Sequence, residues 1–176
     1  NVVIKKTKLN KDEKFLLNEE KIYLFIDKNK IKYNFLNYQD SFKINGRLCI
    51  VLNFCENGSL KDFINSFKDK NFFAESKIWE IYFKLFKSIN FLNNDLKLIH
   101  SDLKPDNILL DDKFEIIICD FSITSEINKK LGRTEAYIAP EWYINNETKK
   151  FDIWGIGHIL FYLCNKERFK IENGMQ

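Results

Sequence analysis

The sequence predicts an α+β protein of two lobes, a small β-rich lobe followed by a mainly helical one. β-Branched and apolar runs at residues 2–4 and 47–54 indicate strands in the first third of the chain. Apolar residues recur at helical spacing from about residue 75 to residue 94, and residues 152–164 are apolar nearly all round. Strands followed by helices, with a break near residues 53–58, favour two packed lobes joined by a hinge.

The first third of the chain contains one predicted helix between its strands. Val2-Val3-Ile4 is typical of a strand because β-branched side chains fit a pleated surface. Apolar residues are interspersed among charges over residues 12–25, which indicates a helix. Two strand-like runs follow, near residues 33–38 and at residues 47–54, and the second is the clearer.

The remainder of the chain begins with a helix start signal. Ser59 lies three residues before Asp62, so its hydroxyl can cap free N–H groups while the carboxylate suits the positive helix end. The long amphipathic helix comes next, and the Asn93-Asn94 pair within it is attributed to the Asn-rich composition of the chain. Short apolar runs separated by polar turns then predict strands at residues 98–99, 108–110 and 116–118.

Composition excludes several classes of protein. The chain has 176 residues, of which 45% are apolar, and its formal net charge of +3 is too small to indicate binding to nucleic acid or an anionic membrane. The four cysteines form no CxxC pair, and there is neither a signal peptide nor an apolar run long enough to span a bilayer. We therefore expect an intracellular protein, cytoplasmic or nuclear, with no nucleic-acid or membrane partner and an undetermined oligomeric state.

Four motifs follow one another in the second half of the chain. They are His100-Ser-Asp-Leu-Lys-Pro-Asp-Asn107, Asp120-Phe121 after an apolar strand, Ala139-Pro140-Glu141, and Asp152-Ile-Trp-Gly-Ile-Gly157. In this order and at these spacings they closely resemble the signature of the eukaryotic protein kinase catalytic domain. The resemblance implies a two-lobed fold with a small antiparallel sheet in the first lobe. It also implies transfer of phosphate from ATP to a protein hydroxyl, with Mg²⁺ as the cofactor.

The resemblance assigns catalytic roles in the second lobe. Phosphoryl transfer needs positioning and charge neutralisation more than covalent help, and Mg²⁺ prefers oxygen ligands. Asp120 and Asn107 are accordingly expected to bind the metal. Asp102 is expected to accept or orient the proton of the attacking hydroxyl, and Lys104 to reach the transferred phosphate.

The resemblance extends to the nucleotide end of the cleft. Lys5, which ends a Val-Val-Ile-Lys run, is expected to hold the ATP phosphates and to pair with Glu19, with Glu20 as a possible substitute. The run Ile50-Val-Leu-Asn-Phe-Cys-Glu-Asn-Gly-Ser-Leu60 is similar to the kinase hinge. We expect the adenine to be surrounded by four residues of this region and of the second lobe: the backbone of Asn53 and Cys55, Leu52 behind the ring, and Leu109 below it.

An apolar column is also implied, because the family stacks four side chains across the two lobes in the active state. The expected members are Tyr23, Tyr38, His100 and Phe121, and the column is anchored by Asp152. The expected boundaries are residues 1–54 for the first lobe, 55–58 for the hinge and 59–176 for the second lobe. The chain starts with Asn and ends soon after an apolar run, so we expect a domain truncated at both ends.

The sequence departs from the family pattern at several positions. No GxGxxG precedes the Lys5 strand, so the glycine-rich loop whose N–H groups normally cover the ATP phosphates is missing from this sequence. Ser101 replaces the usual Arg, which predicts that loop phosphorylation is not the main switch. Ser122 replaces a Gly, which predicts a less mobile loop with its chemistry retained.

Three alternatives therefore stay beside the preferred serine/threonine kinase. The Lys104-Pro105 pair, and Thr134 three residues before Tyr137, resemble the serine/threonine type, with Thr134 expected to bond to Asp102 and Lys104. A Wee-type kinase, which phosphorylates a cyclin-dependent kinase on tyrosine and so acts in the cell cycle, shares the missing Arg and the hinge. A pseudokinase scaffold would explain the degenerate positions. A small-molecule phosphotransferase of the aminoglycoside-kinase type is disfavoured by Lys104-Pro105 and Ala139-Pro140-Glu141.

Overall fold

The first part of the molecule is a small antiparallel sheet with one helix packed on it. The structure, a computed structural model, describes residues 1–7, 13–67, 74–126, 139 and 149–165. Its first elements are the strand β1 (Val2–Lys6), the helix α1 (Glu13–Lys28), and the strands β2 (Tyr38–Ile44) and β3 (Arg47–Asn53). The strands pair antiparallel in the order β1-β3-β2, and α1 contacts both β3 and β2.

The central strand β3 contributes most of the buried side chains of this sheet. Leu48, Cys49, Ile50 and Leu52 are all buried, whereas β1 and β2 are largely exposed. A buried central strand is continuously apolar, which explains why its sequence signal is the clearest. Helix α1 faces the sheet with buried positions at helical spacing: Leu16, Glu19, Ile22, Tyr23 and Ile26.

The strand expected near residues 33–38 is wrong in position, because β2 begins where that run ends. Phe35 and Leu36 are buried instead at the junction of the two lobes, where Phe35 forms a single parallel bridge to Ile118 and the N–H of Leu36 donates to the carbonyl of Ile118. Phe35 and Leu36 are therefore apolar because they pack at the junction of the two lobes and not because they form a strand. Most residues of β2 are exposed, so this strand lacks the apolar alternation that would predict it.

The second lobe consists of helices with short strands between them. After α2 (Leu60–Ser66) and α3 (Glu75–Asn94) come the strand β4 (Leu98–Ile99), a 3₁₀ turn (Pro105–Asn107), and the strands β5 (Ile108–Leu110), β6 (Ile116–Ile118) and β7 (Ser125–Glu126). The helix α4 (Lys150–Asn165) follows. Strand β5 pairs antiparallel with β6, and β4 pairs antiparallel with β7.

Several predicted elements of this lobe are confirmed. Ser59 is the N-cap of α2, and its hydroxyl accepts from the N–H of Asp62 at 3.1 Å. The bounds of α3 coincide with the predicted 75–94, because its buried stripe is uninterrupted. Helix α4 packs against α3 and is buried along most of its length. Within the described part of the chain, no helix is long and apolar enough to cross a membrane.

Candidate active site

The loop between β4 and β5 is held in an unusual backbone conformation by a buried carboxylate. Asp152 on α4 accepts from the N–H of His100 at 2.8 Å and from the N–H of Ser101 at 3.0 Å. The amide of Asn93 donates to the same carboxylate at 2.8 Å. Ser101 has a φ of 72°, which costs energy for a residue with a side chain. The bonds to Asp152 offset that cost and fix the direction of the loop.

Asp102 follows directly and is oriented by two donors. Its Oδ2 accepts from the ammonium of Lys104 at 2.6 Å and from the amide of Asn107 at 2.9 Å. The same amide nitrogen also donates to the main-chain carbonyl of Asp102 at 2.8 Å. The other oxygen, Oδ1, is buried and has no hydrogen-bond partner within the described part of the chain. A buried acceptor of this kind is costly unless a ligand uses it.

The hairpin of β5 and β6 brings Asn107 and Asp120 to the same end of the site. Ile108 pairs with Ile118, and one step further the N–H of Cys119 donates to the carbonyl of Asn107 at 3.0 Å. Asp120 then leaves the strand with a φ of 65°. The left-handed conformation of this turn thus falls at Asp120 and not at Ser122, so a Gly at position 122 is not needed for the observed loop.

Lys5 joins this site to the first lobe. Its ammonium lies 2.6 Å from Oε2 of Glu19 and 2.9 Å from Oδ1 of Asp120. Glu19 is 1% exposed and points from α1 toward the sheet. The structure therefore brings together Lys5, Glu19 and Asp120, and it selects Glu19 over the alternative Glu20.

The charges of this cluster shift one another. Burial lowers the pKa of Lys5, but attraction to Glu19 and Asp120 outweighs burial and raises that pKa above its usual value. Burial raises the pKa of Asp120, but Lys5 and a bond from Ser122 outweigh it and hold that pKa below its usual value. Burial raises the pKa of Glu19 to about 6 in spite of the attraction to Lys5. The charge of Glu19 is therefore the one most easily lost.

The donor set suits a phosphate and a divalent cation. A cavity of about 390 Å³ opens beside the cluster and is lined by residues that include Lys5, Lys6, Glu19 and Asp120. The amide nitrogen of Asn107 bonds to Asp102, and the carboxylate of Asp120 lines the cavity beside Lys5. Among the described residues no group of three or more His, Cys, Asp and Glu forms a metal cage. Two protein oxygens with phosphate and water suit Mg²⁺, which is seldom bound by protein ligands alone.

The predicted adenine contacts lie on three parts of the chain: Leu52 and Asn53 end β3, Cys55 follows in the connecting segment, and Leu109 belongs to β5. The N–H of Asn53 donates to the carbonyl of Asn37 at 3.0 Å, and the N–H of Gly58 donates to the carbonyl of Cys55 at 3.2 Å. Leu52 is buried, and Leu109 of β5 is partly buried and forms a bridge to Ser59. Burial raises the pKa of the Cys55 thiol to about 11, so this thiol stays protonated at neutral pH.

Phe121 is fully buried and contacts rings from both lobes. Its ring centroid lies 5.1 Å from that of Tyr23, 5.3 Å from that of His100 and 5.7 Å from that of Phe35. The expected fourth member, Tyr38, packs at the edge of the core and bonds to Ser41, whereas Phe35 supplies the additional ring.

Sequence reasoning missed three polar residues of the site. Asn93 is buried and bonds to Asp152, although its pair with Asn94 was attributed to composition. Its place at the end of the apolar stripe of α3 is the signal that indicates burial. Asn18 donates to the segment that follows Asp120, and the hydroxyl of Thr124 in that segment donates to the carbonyl of His100. The residue types of Asn18 and Thr124 alone carry no signal. Of the predicted residues, Pro140, Glu141 and Thr134 lie outside the described residues, and Ala139 is buried.

Comparison with known proteins identifies the family. The profile described as "Protein kinase domain" matches residues 1–176, and the chain therefore belongs to the protein kinase domain family. The predicted family and two-lobed kinase fold are thereby confirmed.

Similar proteins carry kinase names and are much longer. Serine/threonine-protein kinase Nek10 of Mus musculus is 32% identical over 140 residues, which cover 74% of this chain and 12% of that protein. Calcium-dependent protein kinase 6 of Plasmodium berghei (strain Anka) is 31% identical over 173 residues, covering 93% of this chain and 11% of that protein. Mitogen-activated protein kinase kinase 2 of Arabidopsis thaliana is 30% identical over 134 residues, covering 72% of this chain and 36% of that protein.

Proposed function

We propose that this protein transfers the terminal phosphoryl group of ATP to a serine or threonine hydroxyl of a protein substrate, with Mg²⁺ as the cofactor. The observation that carries the proposal is the joint arrangement of Lys5 between two carboxylates and of Asp102 with one unpartnered buried oxygen. The preference for serine or threonine rests on relatives named serine/threonine-protein kinases. The Wee-type alternative has no such support among these relatives.

The nucleotide would lie between the lobes, with residues 55–58 as the hinge. The N–H of Asn53 and the carbonyl of Cys55 are used within the protein. The carbonyl of Asn53 and the N–H of Cys55 would be the acceptor and donor for the adenine edge. Leu52 and Leu109 would bound the ring from behind and below. Lys5, held by Glu19, would bind the phosphates at the other end of the cleft.

The chemistry would then centre on Asp102. A substrate hydroxyl that donates to Oδ1 of Asp102 has its oxygen directed at the terminal phosphorus. The new O–P bond forms as the bond to the ADP oxygen breaks, and the hydroxyl proton passes to Asp102. Lys104, 2.6 Å from Asp102, would neutralise charge on the transferred group. Asp120 and Asn107 would hold Mg²⁺, which supplies further neutralisation of the phosphate oxygens when bound.

The test is a phosphotransfer assay on the full-length protein with MgATP and peptide libraries that contain Ser, Thr or Tyr as the acceptor. We expect transfer to Ser or Thr, and we expect Asp102→Asn to lower turnover by about 10²- to 10⁴-fold, the usual effect of removing a general base. ATP affinity should barely change, because Asp102 contacts the acceptor. Asp112→Asn, in an exposed turn, is the matched control.

The outcomes discriminate between the alternatives. Near-normal turnover of Asp102→Asn removes that residue from the role. Transfer to Tyr alone favours the Wee-type alternative, and MgATP binding without transfer to any library favours the scaffold.

A further inference from the structure

The side chain of Asn18 binds three main-chain carbonyls of one short segment. Its Nδ2 donates to the carbonyl of Phe121 at 3.2 Å, to that of Ser122 at 3.1 Å and to that of Thr124 at 2.8 Å. An amide nitrogen carries two hydrogens, so at least one of them is shared between two carbonyls. One half-buried side chain therefore binds three of the four carbonyls of residues 121–124.

The same segment is tied to the catalytic loop on its other side. It forms a turn in which the N–H of Thr124 donates to the carbonyl of Phe121 at 3.1 Å. The hydroxyl of Thr124 donates to the carbonyl of His100 at 3.2 Å, and Ser125 pairs with Ile99. Among the residues just named that bond to this turn, His100 and Ile99 belong to the second lobe and Asn18 belongs to the first.

The position of Asn18 gives this contact its consequence. Asn18 directly precedes Glu19 on α1, and residues 121–124 directly follow Asp120. Glu19 and Asp120 are the two carboxylates that Lys5 bridges. A bond between Asn18 and the segment therefore fixes the relative position of the two elements that carry the partners of Lys5.

We propose that Asn18 is a positioning residue that clamps residues 121–124 to α1 and so assembles the cluster of Lys5, Glu19 and Asp120 before nucleotide binds. Its acceptors are main-chain carbonyls, so the clamp needs no phosphorylated side chain. The consequence for nucleotide binding and catalysis rests on the proposed function, whereas the clamp itself does not.

A simple equilibrium gives the expected kinetics. When a binding-competent state is only partly populated, the apparent Kd rises by the inverse of its population. Removing the donors of Asn18 lowers the population of the clamped state, so KM for MgATP should rise about tenfold. Saturating MgATP restores the clamped state, so kcat should change less than about threefold. A merely structural loss would instead lower the amount of folded enzyme and leave KM unchanged.

The direct test is amide hydrogen exchange on the full-length protein, with and without phosphatase treatment. We expect Asn18→Ala to speed exchange at residues 122–126 by about tenfold or more, and phosphatase treatment to leave exchange of the unmodified protein unchanged. Asn18→Asp should have a larger effect, because it places a carboxylate against three carbonyls. Ala is the better helix former, so a loss of protection in Asn18→Ala does not come from helix propensity.

The matched control is Asn29→Ala. Asn29 lies just after the end of α1, and its amide donates to the carbonyl of Phe25 at 2.7 Å, away from the site. This variant should leave both exchange and KM unchanged. If Asn18→Asp does not fold, Asn18→Ala alone decides.

Two results overturn the proposal: unchanged exchange at residues 122–126 in Asn18→Ala, or faster exchange with unchanged affinity for MgATP measured by calorimetry. A protein that binds no nucleotide and phosphorylates no peptide, but whose segment loses protection in Asn18→Ala, refutes the proposed function and leaves the clamp standing.

Discussion

Lys5 is the residue on which the electrostatics of the site depend. One ammonium faces two carboxylates, and its pKa is raised because the attraction of both charges outweighs burial. Glu19 is nearly inaccessible to water and also feels the negative charge of Asp120, so its pKa lies near 6. Lys5 thus stays charged throughout the neutral range, whereas Glu19 gains a proton under mildly acidic conditions.

This difference predicts a pH dependence of nucleotide binding. As pH falls through about 6, Glu19 becomes neutral and its ion pair with Lys5 is lost, so the affinity for MgATP should fall. The pH dependence of the unfolding free energy has the opposite sign to that of MgATP affinity. Between the ordinary pKa of 4.5 and about 6 the folded state holds more proton on Glu19 than the unfolded state does, so the contribution of Glu19 to the unfolding free energy increases as pH falls.

The check is the MgATP dissociation constant measured from pH 5 to 8. Glu19→Gln should lack the step near pH 6, and Glu20→Gln should keep it, because Glu20 is not the partner of Lys5. A step that persists in Glu19→Gln and disappears in Glu20→Gln would transfer the role to the neighbouring residue.

Asp120 supports a second prediction at this scale. Asp120→Asn keeps the shape of the side chain but removes the charge that faces Lys5 and the proposed Mg²⁺. We expect ATP affinity in the presence of Mg²⁺ to fall by at least about tenfold, or about 1.4 kcal/mol, and affinity in EDTA to change little. Titration of ATP with and without Mg²⁺ measures this, with Asp112→Asn as the control. Equal loss in both conditions would contradict a role in metal binding.

The residues with proposed chemical roles could be predicted from the sequence. The residues that hold them in position could not. Asp102, Asn107 and Asp120 stand in motifs whose order and spacing predict one cleft. In the structure Asn107 bonds to Asp102, and its carbonyl accepts from the N–H of Cys119, the residue before Asp120. Asn18 donates to main-chain carbonyls, and a carbonyl is present at every residue of every sequence, so no pattern of letters marks its partners.

Among the elements, those with a continuous apolar surface were predicted well. Helix α3 has a stripe of buried residues that runs from Ile81 to Asn93, and its bounds agree with the prediction. Strand β2 was displaced by several residues, because the strand itself is mostly exposed while the apolar residues before it fill the lobe junction. Hydrophobic periodicity reports which residues are buried and does not report strand hydrogen bonds. Where a buried loop precedes an exposed strand, the pattern therefore places the strand at the loop.

The packing of α4 on the catalytic loop gives a prediction with a built-in control. A Cβ at Gly155 would lie 2.7 Å from Cβ of Leu103 and 3.2 Å from its carbonyl oxygen, whereas a Cβ at Gly157 has nothing within 4 Å. Gly155→Ala should lower the free energy of unfolding by about 1–3 kcal/mol through overpacking. Gly157→Ala should leave it unchanged or raise it by up to about 1 kcal/mol through helix propensity.

Urea denaturation of both variants measures the difference. Since Leu103 follows Asp102, Gly155→Ala should also lower turnover more than Gly157→Ala does. Equal stability of the two variants would show that the loop yields to the added methyl group without cost.

For the whole molecule, Phe121 is the residue that joins the two lobes. It is fully buried and contacts Tyr23 and Phe35 on the side of the first lobe and His100 on the side of the second. The imidazole of His100 accepts from the N–H of Asp102 at 3.3 Å and lies 3.1 Å from the carbonyl of Cys119. Since Phe121 follows Asp120, one packed ring thus links the turn at Asp120 to the loop that carries Asp102 and to α1.

Removing this ring should allow the two lobes to unfold in separate transitions. Phe121→Ala leaves a cavity between three aromatic side chains and should lower the free energy of unfolding by about 3–5 kcal/mol. Phe121→Leu retains most of the volume and should cost less than about 1.5 kcal/mol. Denaturation followed by calorimetry and by hydrogen exchange should show one cooperative transition in the unmodified protein, with the sheet and α1 unfolding before the helices in Phe121→Ala. A single transition in Phe121→Ala, with protection lost equally in both lobes, would mean that the lobes are coupled mainly elsewhere, for example through the bonds of Asn34 and Leu36 to Ile118.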